Sequence, residues 1–349
     1  MNVSRKQEEI IKTNYNKVVV MAAAASGKTL IVTERVKEIL ARGVNPQKIV
    51  VITFTNAAAD EMSKRIGKVD GLFVGTIHAY AYYLLSAAGY QEHAREYVEK
   101  EKFDELFYLI QKYPQCLKPV DYLIVDEAQD CSYNQWKFFE ISKPAGFMYV
   151  GDLRQCIYEW RDACPKYLLN IMRDKEVKVY SLNENYRNDR EILSYAKWII
   201  SRQKQGLDDD SICMSFKNGQ VINIPLDYQY IANIIKDNKN YKEWFVLTRT
   251  NDQSDQVQWI LDKNNIPNIT FKRGGKDFDE LNSLVNEDKV KVLTIHTSKG
   301  LEADNVVVIG ANMWKDEEIR LSYVAATRAR HSLYWVKKES KKPNYKTWE

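Results

Sequence analysis

Hydrophobic positions in this chain come as short, nearly continuous runs separated by longer amphipathic stretches. Lys17–Met21, Ile49–Thr53, Leu72–Gly75, Tyr122–Val125, Phe147–Val150 and Val177–Ser181 are such runs, and they read as strands buried on both faces. Thr29–Leu40 and Ala57–Ile66 carry helical patterns between them. This alternation predicts a parallel sheet with helices on both sides. Residues 86–119 break the rhythm with a charged, helix-prone stretch, Gln91–Lys112, read as a small helical insertion. The second half repeats the logic, with strands at Trp244–Leu247, Lys289–Thr294, Asn305–Ile309 and Leu333–Val336 and helices at Ser254–Asn264 and Ile319–Arg328. Gln203–Ser211, with Gly206 and three aspartates, reads as a loop. The expected fold is α/β, with one domain over residues 1–182, carrying the insertion at about 86–119, and a second over 183–349.

A chain of 349 residues suits two cores better than one. No apolar run reaches the roughly 20 residues a membrane helix needs, and Met1–Gln7 lacks the apolar stretch of a signal peptide. Five cysteines without CxxC spacing imply free thiols in a reducing compartment, the cytoplasm. None of the four histidines pairs with cysteine at zinc-like spacing. The net charge of +4 does not by itself identify a nucleic-acid partner. The lysines of the tail (Lys337, Lys338, Lys341, Lys342, Lys346) supply much of that excess and read as a solvated terminus.

Two segments carry chemistry. Asp126-Glu127 follows the strand Tyr122–Val125. An acidic pair there either forms a solvated turn or holds a magnesium ion with the first carboxylate while the second deprotonates an attacking water. Ala22-Ala23-Ala24-Ala25-Ser26-Gly27-Lys28-Thr29 follows the strand Lys17–Met21 and opens a helix, the context a phosphate-binding loop requires. Its backbone N–H groups would cradle phosphates, Lys28 would neutralise them, and the Thr29 hydroxyl would ligate magnesium. Small residues let phosphate approach, although Ala25 tolerates a positive φ poorly.

Further motifs follow in order. They are Thr53–Met62, Gly75-Thr76-Ile77-His78, Asp126–Asp130, Gly151–Arg161, Glu184-Asn185-Tyr186-Arg187, Thr294–Glu302 and Tyr323–Ala329. Together this set closely resembles the superfamily 1 DNA helicases of the UvrD/Rep/PcrA type, from Gln7 to Arg328. The resemblance implies two RecA-like domains with ATP and Mg2+ in the cleft between them. It implies that Gln7 reads adenine and Tyr186 stacks on the base, that Gln155 senses the γ-phosphate, and that Arg187 and Arg328 reach that phosphate. Gly300 and Glu302 would approach the nucleotide, Glu302 at the ribose or as a coupling residue. His296 is either a coupling residue or a hydrogen-bonded core histidine. Phe54, Tyr158 and Trp160 match positions that stack bases or line the strand, with core packing the other reading for the first two. Thr55, Asn56, His78 and Arg161 would hold phosphates or bases.

The chain departs from the family pattern in places. Ala23 and Ala25 replace glycines of the phosphate loop, and Leu30 stands where many relatives have arginine. The first large insertion shrinks to about residues 86–119, and the second to some thirteen residues between Gly275 and Lys289. The leading expectation is an ATP-dependent motor that translocates 3′ to 5′ on single-stranded DNA, acting on single strands or tailed duplexes. The alternative is a DNA-stimulated ATPase that senses DNA and switches a partner protein. A binding module with a dead nucleotide site is opposed by Lys28, Asp126, Glu127, Gln155, Arg187 and Arg328. The small size points toward a mobile or viral element in a bacterial cell.

Overall fold

The computed structural model describes residues 3–204, 207–271 and 287–337. Gly206, the shortened second insertion and the tail lysines beyond Lys337 lie outside the described residues. The chain forms two compact units, the first running to Tyr186 and taking in Asp210–Ile212, the second holding Arg187–Asp209 and the chain from Cys213 on.

Unit 1 contains α1 (Arg5–Ile11), β1 (Lys17–Ala22), α2 (Lys28–Ala41), β2 (Ile49–Thr53), α3 (Asn56–Ile66), β3 (Phe73–Thr76) and α4 (Ile77–Ala87). It continues with α5 (Gln91–Glu99), α6 (Phe103–Lys112), β4 (Tyr122–Val125), α7 (Tyr133–Ser142), β5 (Gly146–Gly151), α8 (Pro165–Met172) and β6 (Lys178–Leu182). The strands lie in the order β3-β2-β4-β5-β1-β6 and every pairing is parallel. Val18, Val20, Val51, Ile124, Met148 and Val150 alternate onto one face, where Ile31, Val32, Val36 and Met62 of α2 and α3 cover them. Burial of both sheet faces is why these strands read as continuous apolar runs.

The consequence for the site is geometric. β4, β5 and β1 are neighbours, so the turns that leave their carboxyl ends emerge side by side. Parallel sheets place ligands at that edge. Helix α1 is fixed beneath it by buried Arg35, whose Nη1 donates to the carbonyls of Ile11 (2.9 Å) and Thr13 (2.7 Å).

The helical insertion consists of two helices, α5 and α6, between which the chain turns at Glu101 with φ 54°. Leu106, Phe107 and Ile110 form the buried stripe of α6, and Phe107 meets Phe138 of α7 at 5.7 Å.

Two short strands, β7 (Glu184–Asn185) and β8 (Ile212–Cys213), lie where the chain leaves and re-enters unit 1. Unit 2 contains α9 (Arg190–Ile200), β9 (Gln220–Ile224), α10 (Tyr228–Asn238), β10 (Trp244–Thr248) and α11 (Asn251–Lys263). It continues with β11 (Asn268–Phe271), β12 (Val290–Thr294), β13 (Ala303–Ile309), α12 (Asp316–Ala326) and β14 (Ala329–Val336). Among the described residues its sheet has six strands, also parallel, in the order β11-β12-β10-β13-β14-β9. The strands β9 and β11 escape the apolar-run reading because they close the sheet's edges and are only partly buried.

Trp244 is fully buried in the unit 2 core and stacks on Tyr334 at 5.4 Å. Its indole N–H has no hydrogen-bond partner among the described residues. Trp244→Ala is expected to cost about 3–5 kcal/mol through the cavity it leaves, and Trp244→Phe less, since it also deletes that buried donor. Urea unfolding midpoints check the order; equal losses would contradict this packing.

Candidate nucleotide and nucleic-acid sites

The loop from Ala23 to Gly27 is held by its carbonyls. Ser26 Oγ donates to Ala23 O at 2.8 Å, Asn185 Nδ2 to Ala24 O at 3.1 Å, Tyr186 N to Ala25 O at 3.2 Å and Gln7 Nε2 to Ser26 O at 3.1 Å. Four consecutive carbonyls are thus engaged by the protein. Ala25 (φ 58°) and Gly27 (φ 85°) both adopt left-handed conformations. Strain of this kind in an alanine persists only where the surroundings enforce it. Gly27 caps α2 without a side-chain hydrogen bond, so the first amides of the helix present an anion-binding end.

Gln7 is 3% exposed. Its Oε1 accepts from Ser4 N at 2.9 Å, and a side chain at Gly27 would meet its Nε2 at 2.8 Å. One N–H and one lone pair of the amide are therefore committed to the protein, leaving one of each for a ligand edge. The Tyr186 ring is exposed and its hydroxyl donates to Glu184 Oε2 at 3.1 Å. Asn185, fully buried, was not singled out from the sequence, although it sits inside the Glu184–Arg187 motif.

At the end of β4, Asp126 is buried and its N–H donates to Ile52 O at 2.8 Å. Glu127 occupies a left-handed conformation, φ 52°. Its Oε1 lies 3.0 Å from Lys28 Nζ, so the acidic pair and the phosphate loop are in direct contact. At the end of β5, Asp152 accepts from Arg154 Nε (2.7 Å) and Gln155 Nε2 (2.8 Å). No cluster of three or more His, Cys, Asp or Glu side chains suited to a metal occurs among the described residues. A magnesium ion bound with a nucleotide takes only one or two protein ligands, with phosphate and water supplying the rest. Thr29 and Asp126 match that donor set.

In unit 2, Glu302 bonds both Arg187 Nε and Arg330 Nη2. Burial opposes ionisation of Glu302, but the two arginines outweigh it and hold its carboxyl down to about 2. Arg187 Nη1 also donates to Thr327 O at 3.2 Å. Arg328 is 2% exposed and donates to the carbonyls of Val324 (3.0 Å) and Leu301 (3.1 Å). Gly300 has φ 89°, and His296 is half-buried. Arg330 was not foreseen, being outside any assigned motif position.

Phe54, Tyr158, Trp160 and Arg161 come together in unit 1. Phe54 stacks on Tyr158 at 5.2 Å and 22°, Tyr158 meets Trp160 edge-on at 6.2 Å, and the Arg161 guanidinium lies 5.7 Å from the Phe54 ring and 5.5 Å from Trp160. Trp160 is 50% exposed, while Phe54 and Tyr158 are half-buried. Core packing and surface presentation therefore both apply to the last two. Asn56 is exposed, and the Thr55 hydroxyl caps α3 by accepting from Ala58 N at 3.2 Å. His78 packs against Phe103 (5.1 Å) and Phe107 (5.6 Å) of the insertion.

Among the described residues no helix is long and apolar enough to cross a membrane. Family models match almost the whole chain: the UvrD/REP helicase N-terminal domain over residues 3–115 and 110–176, and UvrD-like helicase C-terminal domains over 180–279 and 289–336. Similar proteins include the ATP-dependent DNA helicase PcrA of Staphylococcus aureus, 25% identical over 80% of this chain and 52% of the relative. PcrA of Staphylococcus epidermidis gives the same figures. A probable DNA helicase of Mycoplasma pneumoniae is 23% identical over 96% of this chain and 83% of its own. The chain spans about half the length of the PcrA relatives.

Burial, reinforced by the Arg161 charge, lowers the His78 pKa to about 4. An unfolded histidine near 6.5 binds more protons than the folded one in that window, so stability falls as pH drops from 6.5 to 4. The His78 contribution is expected to reach at most about 3 kcal/mol. Urea titrations of the parent and His78→Gln at several pH values check this. The gap between them should narrow on acidification, and a constant gap would contradict it.

Proposed function

For a chain that belongs to the UvrD/Rep helicase family, with two tandem RecA-like α/β domains, we propose that the protein is a magnesium-dependent ATPase driving 3′-to-5′ translocation on single-stranded DNA. Residues 1–182 act as the ATP-binding domain, with 86–119 as a reduced insertion, and 183–349 as the second motor domain. The observation that carries this reading is the prebuilt phosphate loop in contact with the acidic pair, the Lys28–Glu127 distance being 3.0 Å.

In this mechanism the loop amides and Lys28 bind the β- and γ-phosphates, Gln7 reads the adenine edge, and Tyr186 stacks on its face. Thr29 and Asp126 would hold magnesium, which would supply charge neutralisation at the phosphate oxygens. Glu127 takes the proton of the attacking water. Gln155 contacts the γ-phosphate, and Arg187 and Arg328 neutralise the charge that builds on it, a role suited to their forked donors. Gly300 permits close backbone approach, and Glu302 orients Arg187 or meets the ribose.

The aromatic cluster serves the strand. Base stacking on Trp160, Tyr158 and Phe54 is sequence-tolerant and worth about 1–3 kcal/mol per base, which a motor that steps on any sequence needs. Thr55, Asn56, His78 and Arg161 surround that platform or support it. The names of the relatives do not favour a DNA-sensing switch over a helicase. Their bacterial sources agree with a bacterial cytoplasm as the proposed setting.

The test is hydrolysis of Mg-ATP with and without single-stranded oligonucleotides of varied sequence and salt. DNA is expected to stimulate turnover with little sequence preference and steep salt dependence. Trp160→Ala should lose most of that stimulation while DNA-free turnover stays near the parent's. If both rates fall together, Trp160 is a packing residue and the coupling fails.

A further inference from the structure

The side chain of Gln129 is 1% exposed, and a buried amide must satisfy both of its ends. Its Nε2 donates to Glu127 Oε2 at 2.6 Å, and its Oε1 accepts from the Asp152 amide at 3.0 Å. The other Glu127 oxygen faces Lys28, and the Asp152 carboxylate holds Gln155 Nε2. One continuous chain of polar contacts therefore runs from Lys28 through Glu127, Gln129 and Asp152 to Gln155.

The surroundings fix this amide in one orientation. Rotating it by half a turn would set its oxygen against the Glu127 carboxylate and its NH₂ against the Asp152 N–H, replacing two attractions by two repulsions. Gly151 packs so closely that a Cβ there would stand 2.5 Å from Gln129 Oε1. Cys156 Sγ donates to the Gln129 carbonyl at 3.3 Å, pinning the backbone as well.

We propose that Gln129 is a positioning residue for hydrolysis, fixing the Glu127 carboxylate and tying it to the loop that carries Gln155. The inference rests on the reading of Glu127 as the base. A base oriented by a third group is a recurrent arrangement in hydrolytic sites. Here the third group also reports on the sensor loop: a displacement of Asp152 pulls on Gln129 Oε1 and so on the carboxylate. The contact is expected to add nothing to nucleotide binding, because Gln129 is buried and its amide is engaged by Glu127 and Asp152.

Two substitutions separate orientation from folding. Gln129→Met keeps the length and removes both polar ends. Gln129→Glu keeps the size and the acceptor for Asp152 N but replaces the donor to Glu127 with a second carboxylate. DNA-stimulated turnover, the affinity of a fluorescent ADP and hydrogen exchange of the segment 151–156 are measured for each, alone and combined with Glu127→Gln. Both single variants are expected to lose kcat on the order of 10- to 100-fold, with KM and ADP affinity within about 3-fold of the parent. In the Glu127→Gln background either substitution should cost less than about 2-fold more, because the group it orients is gone. Exchange at 151–156 should accelerate in Gln129→Met and not in Gln129→Glu. Parental kcat in Gln129→Glu, or independent, multiplying losses in the double variants, would overturn the proposal. If Gln129→Met does not fold, Gln129→Glu decides alone. A Glu127→Gln protein that turns over like the parent would instead remove Glu127 as the base, a different failure.

Discussion

The contact between Lys28 Nζ and Glu127 Oε1, 3.0 Å long and mostly withdrawn from water, joins the two pieces of sequence on which the site depends. At that distance the gross attraction is about 5 kcal/mol for an effective dielectric near 20, and desolvation of both groups offsets much of it. The pair therefore holds the phosphate loop against the end of β4 without locking it. A triphosphate brings several negative charges and can take Lys28 from a single carboxylate. Under the proposed function, that exchange would release Glu127 toward water as the phosphates are seated, and the same lysine would serve as latch and as phosphate ligand.

The fold exists to make that contact possible. Because β1, β4 and β5 are adjacent and parallel, the loops at their carboxyl ends converge without any long-range loop having to search for its partner. Two left-handed residues outside glycine, Ala25 and Glu127, lie at the two sides of the contact. Each costs on the order of 1–2 kcal/mol, and the carbonyl anchors from Gln7, Asn185 and Tyr186 supply the constraint that maintains the loop. In unit 2 the same economy appears in Glu302, one carboxylate that orients Arg187 and Arg330 together.

Much of this was legible in the chain. The phosphate loop and Asp126-Glu127 are contiguous segments after apolar strands, and contiguity is what a sequence records. The aromatic residues Phe54, Tyr158 and Trp160 were found through their motifs, and the structure clusters them. What was not legible depends on tertiary approach. Gln129 and Asp152 were quoted inside their motifs with no role, because an amide reveals its partners only when β4 and β5 bring 127, 129 and 152 together. Asn185 and Arg330 were missed for the same reason. The break at Glu101 escaped because a charged, helix-prone stretch gives no sign of a left-handed turn at a non-glycine residue. The edge strands β9 and β11 escaped because half-burial leaves no apolar run.

The exchange proposed for Lys28, from the Glu127 carboxylate to phosphate when nucleotide binds, is open to direct measurement. Equilibrium affinity for ATP with magnesium, measured by calorimetry on the parent and on Glu127→Gln under conditions that block turnover, tests it most directly. The amide removes both the competition for Lys28 and a negative charge beside the phosphates. Glu127→Gln is expected to bind ATP more tightly, by roughly 3- to 10-fold. Weaker binding than the parent would contradict the exchange, because Glu127 would then support the phosphate site and not compete for its lysine.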